Sequence, residues 1–194
     1  MKEFYSNGKL LITGEYAVLD GAKALAIPTK FGQSLEVKTS EGKNIEWNSF
    51  DENEKLWFQG EFGFKNGEIE LIQGEENIGK KLVQILNVAH QLNPKIFSEE
   101  KIGIEITTRL NFNRNWGLGT SSTLINNIAS WFEIDAYKLL KNTFGGSGYD
   151  IAAAQNNQPV TYQITENGPS VLKANFYPEF AENIFFSHLS KQKK

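Results

Sequence analysis

The hydrophobic pattern of the chain changes at residue 75, and this change separates a predicted strand-rich region from a predicted helix. Between Glu75 and Leu92, apolar residues recur every three or four positions, and Pro94 follows the run. This spacing predicts an amphipathic helix, and the proline fits its end. The chain before the helix is rich in strand-forming residues, so we expect strands first and a helix after them.

Five β-branched or aromatic runs before the helix predict strands. They are Lys9–Leu19, Phe31–Thr39, Asn44–Trp47, Lys55–Phe64 and Glu68–Ile72, separated by turn signals at Asp20-Gly21, Glu41-Gly42 and Asn66-Gly67. The Asn66-Gly67 pair is the clearest hairpin signal because both residue types tolerate positive φ.

The second half alternates strands, glycine-rich loops and helices. The predicted strands are Lys101–Thr108, Pro159–Ile164 and Ile184–Leu189, and the predicted helices are Ser121–Phe132, Asp135–Lys141 and Tyr149–Gln155. No repeat, low-complexity tract or linker marks a boundary. Residues 1–194 are therefore expected to form one α+β domain.

Composition narrows the chemistry that the chain can support. It contains no cysteine, which excludes disulfides, thiolate nucleophiles and cysteine-bound metals. Its 20 basic and 23 acidic side chains are mixed and give a net charge of −3, so neither nucleic acid nor a membrane is an expected partner. With no signal peptide and no long apolar run, we expect a cytoplasmic protein.

The segment from Gly117 to Thr123 lies between a predicted strand and a predicted helix. Glycines let a backbone approach an anion, and the free N–H groups of a helix start, together with the helix dipole, favour phosphate. The hydroxyls of Thr120, Ser121 and Ser122 could also contact phosphate or magnesium. Taken alone, the segment is more simply interpreted as a turn with a helix cap.

Two further segments carry charged groups in unusual places. Asp150 follows three glycines and begins an Ala-rich helix, which fits either a plain cap or a carboxylate that orients a substrate hydroxyl. Lys9 and Glu15 lie within a strand-like run from Ser6 to Gly21, where such charges are usually only solvated. A lysine there could instead supply positive charge to a transferring phosphoryl group.

Together and in this order, the three segments resemble the motifs of the GHMP small-molecule kinases. Gly8 to Val18 is similar to the family's Gly-Lys and Gly-Glu-Tyr-Ala-Val elements, and Gly117 to Thr123 is similar to its Gly-Leu-Gly-Ser-Ser-Ala loop. Ser147 to Asp150 matches the Ser-Gly-x-Asp segment of the mevalonate and phosphomevalonate kinases. Gly148 to Ala152 also matches a branch named for its Gly-Tyr-Asp-Ile-Ala sequence.

The resemblance implies the family's α+β N-terminal domain, which is like domain 2 of ribosomal protein S5 and contains a left-handed βαβ crossover. It also implies transfer of the γ-phosphoryl group of ATP to a small alcohol or phosphorylated alcohol, with Mg²⁺ as cofactor. The resemblance also implies that Asp150 is the catalytic base and that Lys9 assists it electrostatically. Neither His90 nor His188 lies in a motif, and both are interpreted as structural or surface histidines. The implied nucleotide ligands are Gly117, Leu118, Gly119, Thr120, Ser121 and Ser122, with Ser121 as the metal ligand. The implied substrate residues are Glu15, Tyr16, Ser147 and Gly148.

The sequence departs from the family in three respects. First, Asn7 and Asn113 stand where the family usually has proline, and Arg114 to Trp116 replace the small residues before Gly117. Second, Leu139 occupies the position of a magnesium-binding Glu in some mevalonate kinases. Third, nothing after Gly168 resembles the third motif, which lies in the family's C-terminal ferredoxin-like domain. We therefore expect a truncated family member whose exposed apolar surface favours homodimerisation, aggregation or poor activity. The alternative is a catalytically incompetent domain that binds a nucleotide or a partner.

Overall fold

The fold is described from a computed structural model, for residues 1–97, 103–180 and 183. The strands are β1 Lys2–Thr13, β2 Ala24–Ser40, β3 Ile45–Phe50, β4 Leu56–Lys65, β5 Glu68–Gly74, β6 Gly103–Leu110, β7 Val160–Thr165 and β8 Gly168–Lys173. They form one sheet in the order β5-β4-β3-β6-β2-β7-β8, with β1 paired to β2. The β3/β6 pair is parallel and the other pairs are antiparallel.

The long strand β2 organises the sheet. One of its edges carries β1, and its other edge carries β7 near Ala24 and β6 from Gln33 onward. The predicted Asn66-Gly67 hairpin is confirmed between β4 and β5, where both residues have positive φ (54° and 84°). This is the backbone that a tight two-residue hairpin with the usual strand twist requires.

The described residues form four helices: α1 Glu76–Leu92, α2 Thr120–Phe132, α3 Ala136–Lys141 and α4 Tyr149–Ala154. Helices α1, α2 and α4 pack against the sheet, and α3 packs against α2 and α1. The helix predicted from residue 75 is confirmed as α1, and the Glu75 carboxylate caps it by accepting the N–H groups of Asn77 and Ile78. Capping of this kind satisfies donors that have no intrahelical partner. The helices predicted near residues 121, 135 and 149 are confirmed as α2, α3 and α4.

The main core lies between the helices and one face of the sheet. Its sheet side includes Leu35, Trp47, Phe62 and Ile106, and its helix side includes Leu82, Ile85, Leu86, Ile125, Ile128 and Phe132. Each large side chain of this kind contributes about 1.5–3 kcal/mol when fully buried. The register places Glu36, Lys38 and Glu105 on the opposite, polar face.

Two strand predictions were wrong in their bounds. The strand predicted at Lys9–Leu19 runs from Lys2 to Thr13, because Gly14 (φ +92°) and Tyr16 (φ +58°) turn the chain into a 3-10 segment at Ala17–Asp20. The strand predicted at Phe31–Thr39 already begins at Ala24, since residues 25–28 pair with β1 despite the proline at position 28.

The C-terminal region holds a strand that the sequence pattern did not indicate. β8 pairs with β7 along its whole length, yet most of its residues are exposed or half-buried, so no alternating apolar pattern marks it. The strand predicted from residue 101 is seen as β6 from Gly103, and residues 101–102 lie outside the described residues. The strand predicted at Ile184–Leu189 also lies outside them. Among the described residues, no helix combines the length and apolarity needed to cross a bilayer.

Candidate functional site

The glycine-rich loop lies between β6 and α2 and is built on two left-handed glycines. A 3-10 turn at Arg114–Trp116 ends at Gly117 (φ +74°), and Gly119 (φ +92°) is the N-cap of α2. L-residues with a Cβ rarely adopt these angles. A Cβ at Gly119 would lie 2.6 Å from Ser122 Oγ and 3.4 Å from Lys9 Cγ, so the loop is closely packed at this point.

The start of α2 presents backbone donors at this loop. The first hydrogen bond of the helix runs from Thr123 N–H to Gly119 O (3.0 Å), so the N–H groups of residues 120–122 precede the helical ladder. The Ser122 hydroxyl donates to Gly119 O (2.8 Å), and the Thr120 hydroxyl lies 3.5 Å from Arg114 O. The exposed Ser121 is therefore the hydroxyl that is placed most openly.

Lys9 of β1 is joined to this loop through both its backbone and its side chain. Its N–H donates to Leu118 O (2.9 Å), and its ammonium donates to Gly117 O (3.3 Å). The preceding Gly8 leaves no room for a side chain, since a Cβ there would lie 2.9 Å from Leu118 O. The first and second motif segments of the sequence therefore meet in space.

The third segment reaches the same place at the start of α4. The Lys9 ammonium lies over the Tyr149 ring, 5.3 Å from its centroid, and Asp150 is the next residue. Asp150 is half-buried, and its Oδ1 accepts the N–H of Ile151 (3.2 Å). Among the ion pairs of the described residues, none joins Lys9 to Asp150. Asp150 therefore directly follows the residue that the Lys9 ammonium contacts, without an ion pair between the two charged groups.

Two tyrosines support the glycines before Asp150. The rings of Tyr137 and Tyr162 are stacked, with centroids 6.5 Å apart, and Tyr162 donates a hydrogen bond to Ser147 O. Gly148 (φ +87°) lies directly on them, because a Cβ there would be 3.0 Å from Tyr137 Cδ1. Only glycine fits this N-cap of α4 without displacing the pair.

Both tyrosines remain protonated near neutral pH. Burial, followed by the negative charge of Asp150, raises the pKa of Tyr162 to about 12. Burial also raises the pKa of Tyr137, with smaller contributions from Tyr162, Asp135 and Asp150. Tyr162 can therefore hold its bond to Ser147 across the physiological range, and this bond fixes the segment that carries Asp150.

A buried polar network within two turns of the loop ties the three segments together. Asn127 accepts a hydrogen bond from Ser6 Oγ (2.7 Å) and donates to Gln33 O (2.9 Å). Asn126 donates to Ser6 Oγ (2.9 Å) and accepts one from Gln155 Nε2 (2.9 Å). The network spans β1, β2, α2 and the end of α4. The sequence analysis missed it, although two adjacent amides within an apolar helix were a usable signal.

Asn7, one of the departures from the family pattern, adds a second tie between β1 and the end of α4. Its Nδ2 donates to Asn156 O and to Asn157 Oδ1, both at 2.8 Å. A proline at this position has no side-chain donor and could make neither bond.

The predicted substrate residues divide into two groups. Ser147 and Gly148 lie in the segment that leads to Asp150, beside the predicted catalytic residues. Glu15 and Tyr16 lie in the turn after β1, both exposed, and Tyr16 retains 80% of its accessible surface. Among the described residues, neither of these two side chains hydrogen bonds or ion pairs with the loop or with Asp150.

Three solved kinases share this fold at low sequence identity. The Methanococcus jannaschii mevalonate kinase is 17% identical, with a TM-score of 0.59, over 93% of this chain and 57% of its own. The Streptococcus pneumoniae phosphomevalonate kinase is 16% identical, with a TM-score of 0.61, over 89% of this chain and 59% of its own. The Lactococcus lactis galactokinase is 14% identical, with a TM-score of 0.60, over 89% of this chain and 47% of its own.

The chain has the fold of a GHMP kinase N-terminal domain. This confirms the expected fold class. No protein-family model matches the sequence, and no curated protein matches it significantly. The chain spans between 47% and 59% of the length of these three kinases. At such low identities the similarity concerns the fold alone, and the site has to be judged on its own residues.

Proposed function

We propose that the protein is the phosphate-binding part of a GHMP-type kinase that transfers the γ-phosphoryl group of ATP to a small alcohol. The acceptor class that we favour is a mevalonate-like alcohol or its phosphate. One observation carries the proposal: Lys9 bonds to the glycine-rich loop and lies over Tyr149, beside Asp150. Three segments that are far apart in sequence supply a phosphate cradle, a cation and a carboxylate at one place.

The cradle fits the phosphates of a nucleotide. Three consecutive N–H groups at residues 120–122 precede the first hydrogen bond of α2, and the helix dipole adds partial positive charge there. The glycines at 117 and 119 let the backbone approach an anion closely. Gly117, Leu118, Gly119, Thr120, Ser121 and Ser122 are the proposed ligands of ATP.

The donor set suits magnesium only in part. The described residues contain no group of three His, Cys, Asp or Glu side chains placed to hold a metal ion. Ser121 would be the protein's ligand to magnesium through its hydroxyl, and phosphate oxygens and water would supply the other ligands. When bound, magnesium would neutralise phosphate charge and orient the transferred group.

The carboxylate and the cation have complementary roles in the proposed transfer. Asp150 accepts the proton of the acceptor hydroxyl while the hydroxyl oxygen bonds to the γ-phosphorus and the bond to the leaving diphosphate breaks. Lys9 stabilises the charge that spreads over the phosphoryl oxygens. Because the backbone of Lys9 is hydrogen-bonded to the loop, its ammonium needs no large rearrangement to reach this position.

The proposed acceptor contacts are Ser147 and Gly148 beside Asp150, together with Glu15 and Tyr16 after β1. The S. pneumoniae phosphomevalonate kinase was solved with phosphomevalonate and AMPPNP, which supports an ATP-type nucleotide and a phosphorylated acceptor as the first probes. The exposed side chains of Glu15 and Tyr16 are free to contact a ligand.

The test is a phosphoryl-transfer assay with Asp150→Asn and a matched control. ADP release is followed with ATP, magnesium and a panel of mevalonate, phosphomevalonate, galactose and homoserine. Asp150→Asn is expected to abolish transfer and to retain MgATP binding. The control is Asp135→Asn, which also removes a carboxylate at a helix start but keeps a good cap for the Tyr137 N–H.

Each outcome has a distinct meaning. Transfer that survives in Asp150→Asn shows that the base is assigned wrongly. MgATP binding without transfer to any acceptor supports the alternative of a binding domain. A folded chain that neither binds MgATP nor transfers phosphate contradicts the proposal.

A further inference from the structure

Tyr149 lies between a packed cluster and the cation of the proposed site. It is the first residue of α4, is half-buried, and packs against a small core that includes Ala152, Ala153 and Val160. The Lys9 ammonium lies over its ring at 5.3 Å. This distance is within the range at which an aromatic face attracts a cation.

The side chain of Lys9 has few other restraints. A lysine stem has four rotatable bonds, and its ammonium is a compact, mobile charge. Its one hydrogen-bond acceptor among the described residues is Gly117 O at 3.3 Å, which is a long bond, and no carboxylate there pairs with it. The aromatic face is therefore the second of two contacts that hold the charge at the loop.

Packing alone does not explain an aromatic residue at this position. The buried core beneath Tyr149 consists of alanines and valines together with Tyr162, and leucine would also pack against it. An aliphatic side chain has no electron-rich face and would leave the ammonium with a single weak contact. The feature that only the aromatic ring supplies is its attraction for the charge.

We infer that Tyr149 is a positioning residue that holds the Lys9 ammonium at the mouth of the glycine-rich loop, beside Asp150. The catalytic consequence of this placement rests on the proposed function, because a lysine without a fixed position stabilises the developing charge on the phosphoryl group less well. The placement itself can be measured without nucleotide, acceptor or turnover. The two parts can therefore fail separately.

Lysine-selective ¹³Cε labelling of the full 194-residue chain tests the placement. Lys9→Arg assigns the Lys9 signal by its loss. We expect the Lys9 Hε protons to be shifted upfield by the ring current in the wild type and in Tyr149→Phe, and to return to the region of exposed lysines in Tyr149→Leu. Replacing Tyr149 by 3,4,5-trifluorophenylalanine keeps the shape of the ring, weakens its attraction for cations and should also reduce the shift.

Identical Lys9 signals in all four proteins would overturn the inference. Loss of the shift in Tyr149→Leu but not in the trifluoro variant would also overturn it, because ring shape rather than charge attraction would then hold the lysine. The rate of phosphoryl transfer tests whether the position of Lys9 matters for catalysis. Tyr149→Leu should lower kcat roughly 2- to 30-fold and leave the KM for ATP nearly unchanged. An unchanged kcat would contradict that use, whereas a wild type without transfer contradicts the proposed function and leaves the spectroscopic result standing.

Discussion

Truncating Asn127 should destabilise the protein far more than truncating an exposed asparagine. Its side chain is 1% exposed, and its amide makes one hydrogen bond to Ser6 Oγ (2.7 Å) and one to Gln33 O (2.9 Å). Asn127→Ala removes both bonds and leaves both partners buried. A buried group that loses its partner costs about 1–3 kcal/mol, so the expected loss is about 3 kcal/mol.

This loss is large beside the roughly 5–15 kcal/mol that ordinary domains have. Urea unfolding followed by tryptophan fluorescence measures it as a fall in the transition midpoint at constant m-value. Asn142→Ala is the matched control, because Asn142 also donates its amide to a carbonyl, Lys138 O at 2.8 Å, but lies in an exposed position. We expect the control to lose less than about 1 kcal/mol.

A double-mutant cycle with Ser6→Ala isolates the bond itself. Each single variant breaks the contact between Ser6 and Asn127, so the double variant should lose about 1 kcal/mol less than the sum of the two. If Asn127→Ala costs no more than Asn142→Ala, or if the cycle is additive, the network does not hold β1 to α2 and our reasoning about the support of the site is refuted.

Three further changes test other parts of the account. Gly148→Ala should destabilise the fold by about 1–3 kcal/mol, since its Cβ would meet Tyr137 at 3.0 Å in a left-handed backbone, and thermal unfolding measures this. Burial lowers the pKa of His90, so the unfolded chain binds the proton more readily than the folded chain, and the free energy of unfolding should fall as pH drops through about 6.5. Urea unfolding at several pH values should show a weaker pH dependence of stability for His90→Phe. Asn7→Ala should lower the free energy of unfolding by about 1 kcal/mol, because it removes the hydrogen bonds to Asn156 O and Asn157 Oδ1. Faster hydrogen exchange of the backbone amides of residues 155–157 would show this loss.

Local pattern was enough to predict most of the fold. The helix from residue 75 was predictable because its apolar spacing, its cap and Pro94 agree with one another. The hairpin between β4 and β5 was equally predictable, since Asn66 and Gly67 both adopt the positive φ that such a turn needs. β8 was not predictable, because it is held by ladder bonds to β7 and not by burial of an apolar face.

The candidate site was only partly predictable. Its loops were visible because each segment combines glycines with a charged or hydroxyl residue, but the segments lie more than 100 positions apart in the case of Lys9 and Gly117. Their meeting depends on β1 lying along β2 and on α2 and α4 packing against both. The roles of Tyr149 and the buried amides follow from that packing, which no local pattern encodes.

The most direct test of the central claim is MgATP binding to the 194-residue chain by calorimetry, with two glycine variants. Gly119→Ala and Gly168→Ala both place a side chain in a left-handed backbone (φ +92° and +102°), but only the first Cβ meets the loop, 2.6 Å from Ser122 Oγ, while nothing lies within 4 Å of the second. Circular dichroism is used to check that both variants fold. We predict that the wild type and Gly168→Ala bind MgATP and that Gly119→Ala binds it at least about tenfold more weakly, a difference of about 1.4 kcal/mol. Equal binding by all three proteins, or no binding by a folded wild type, would contradict the claim that this loop is a phosphate cradle.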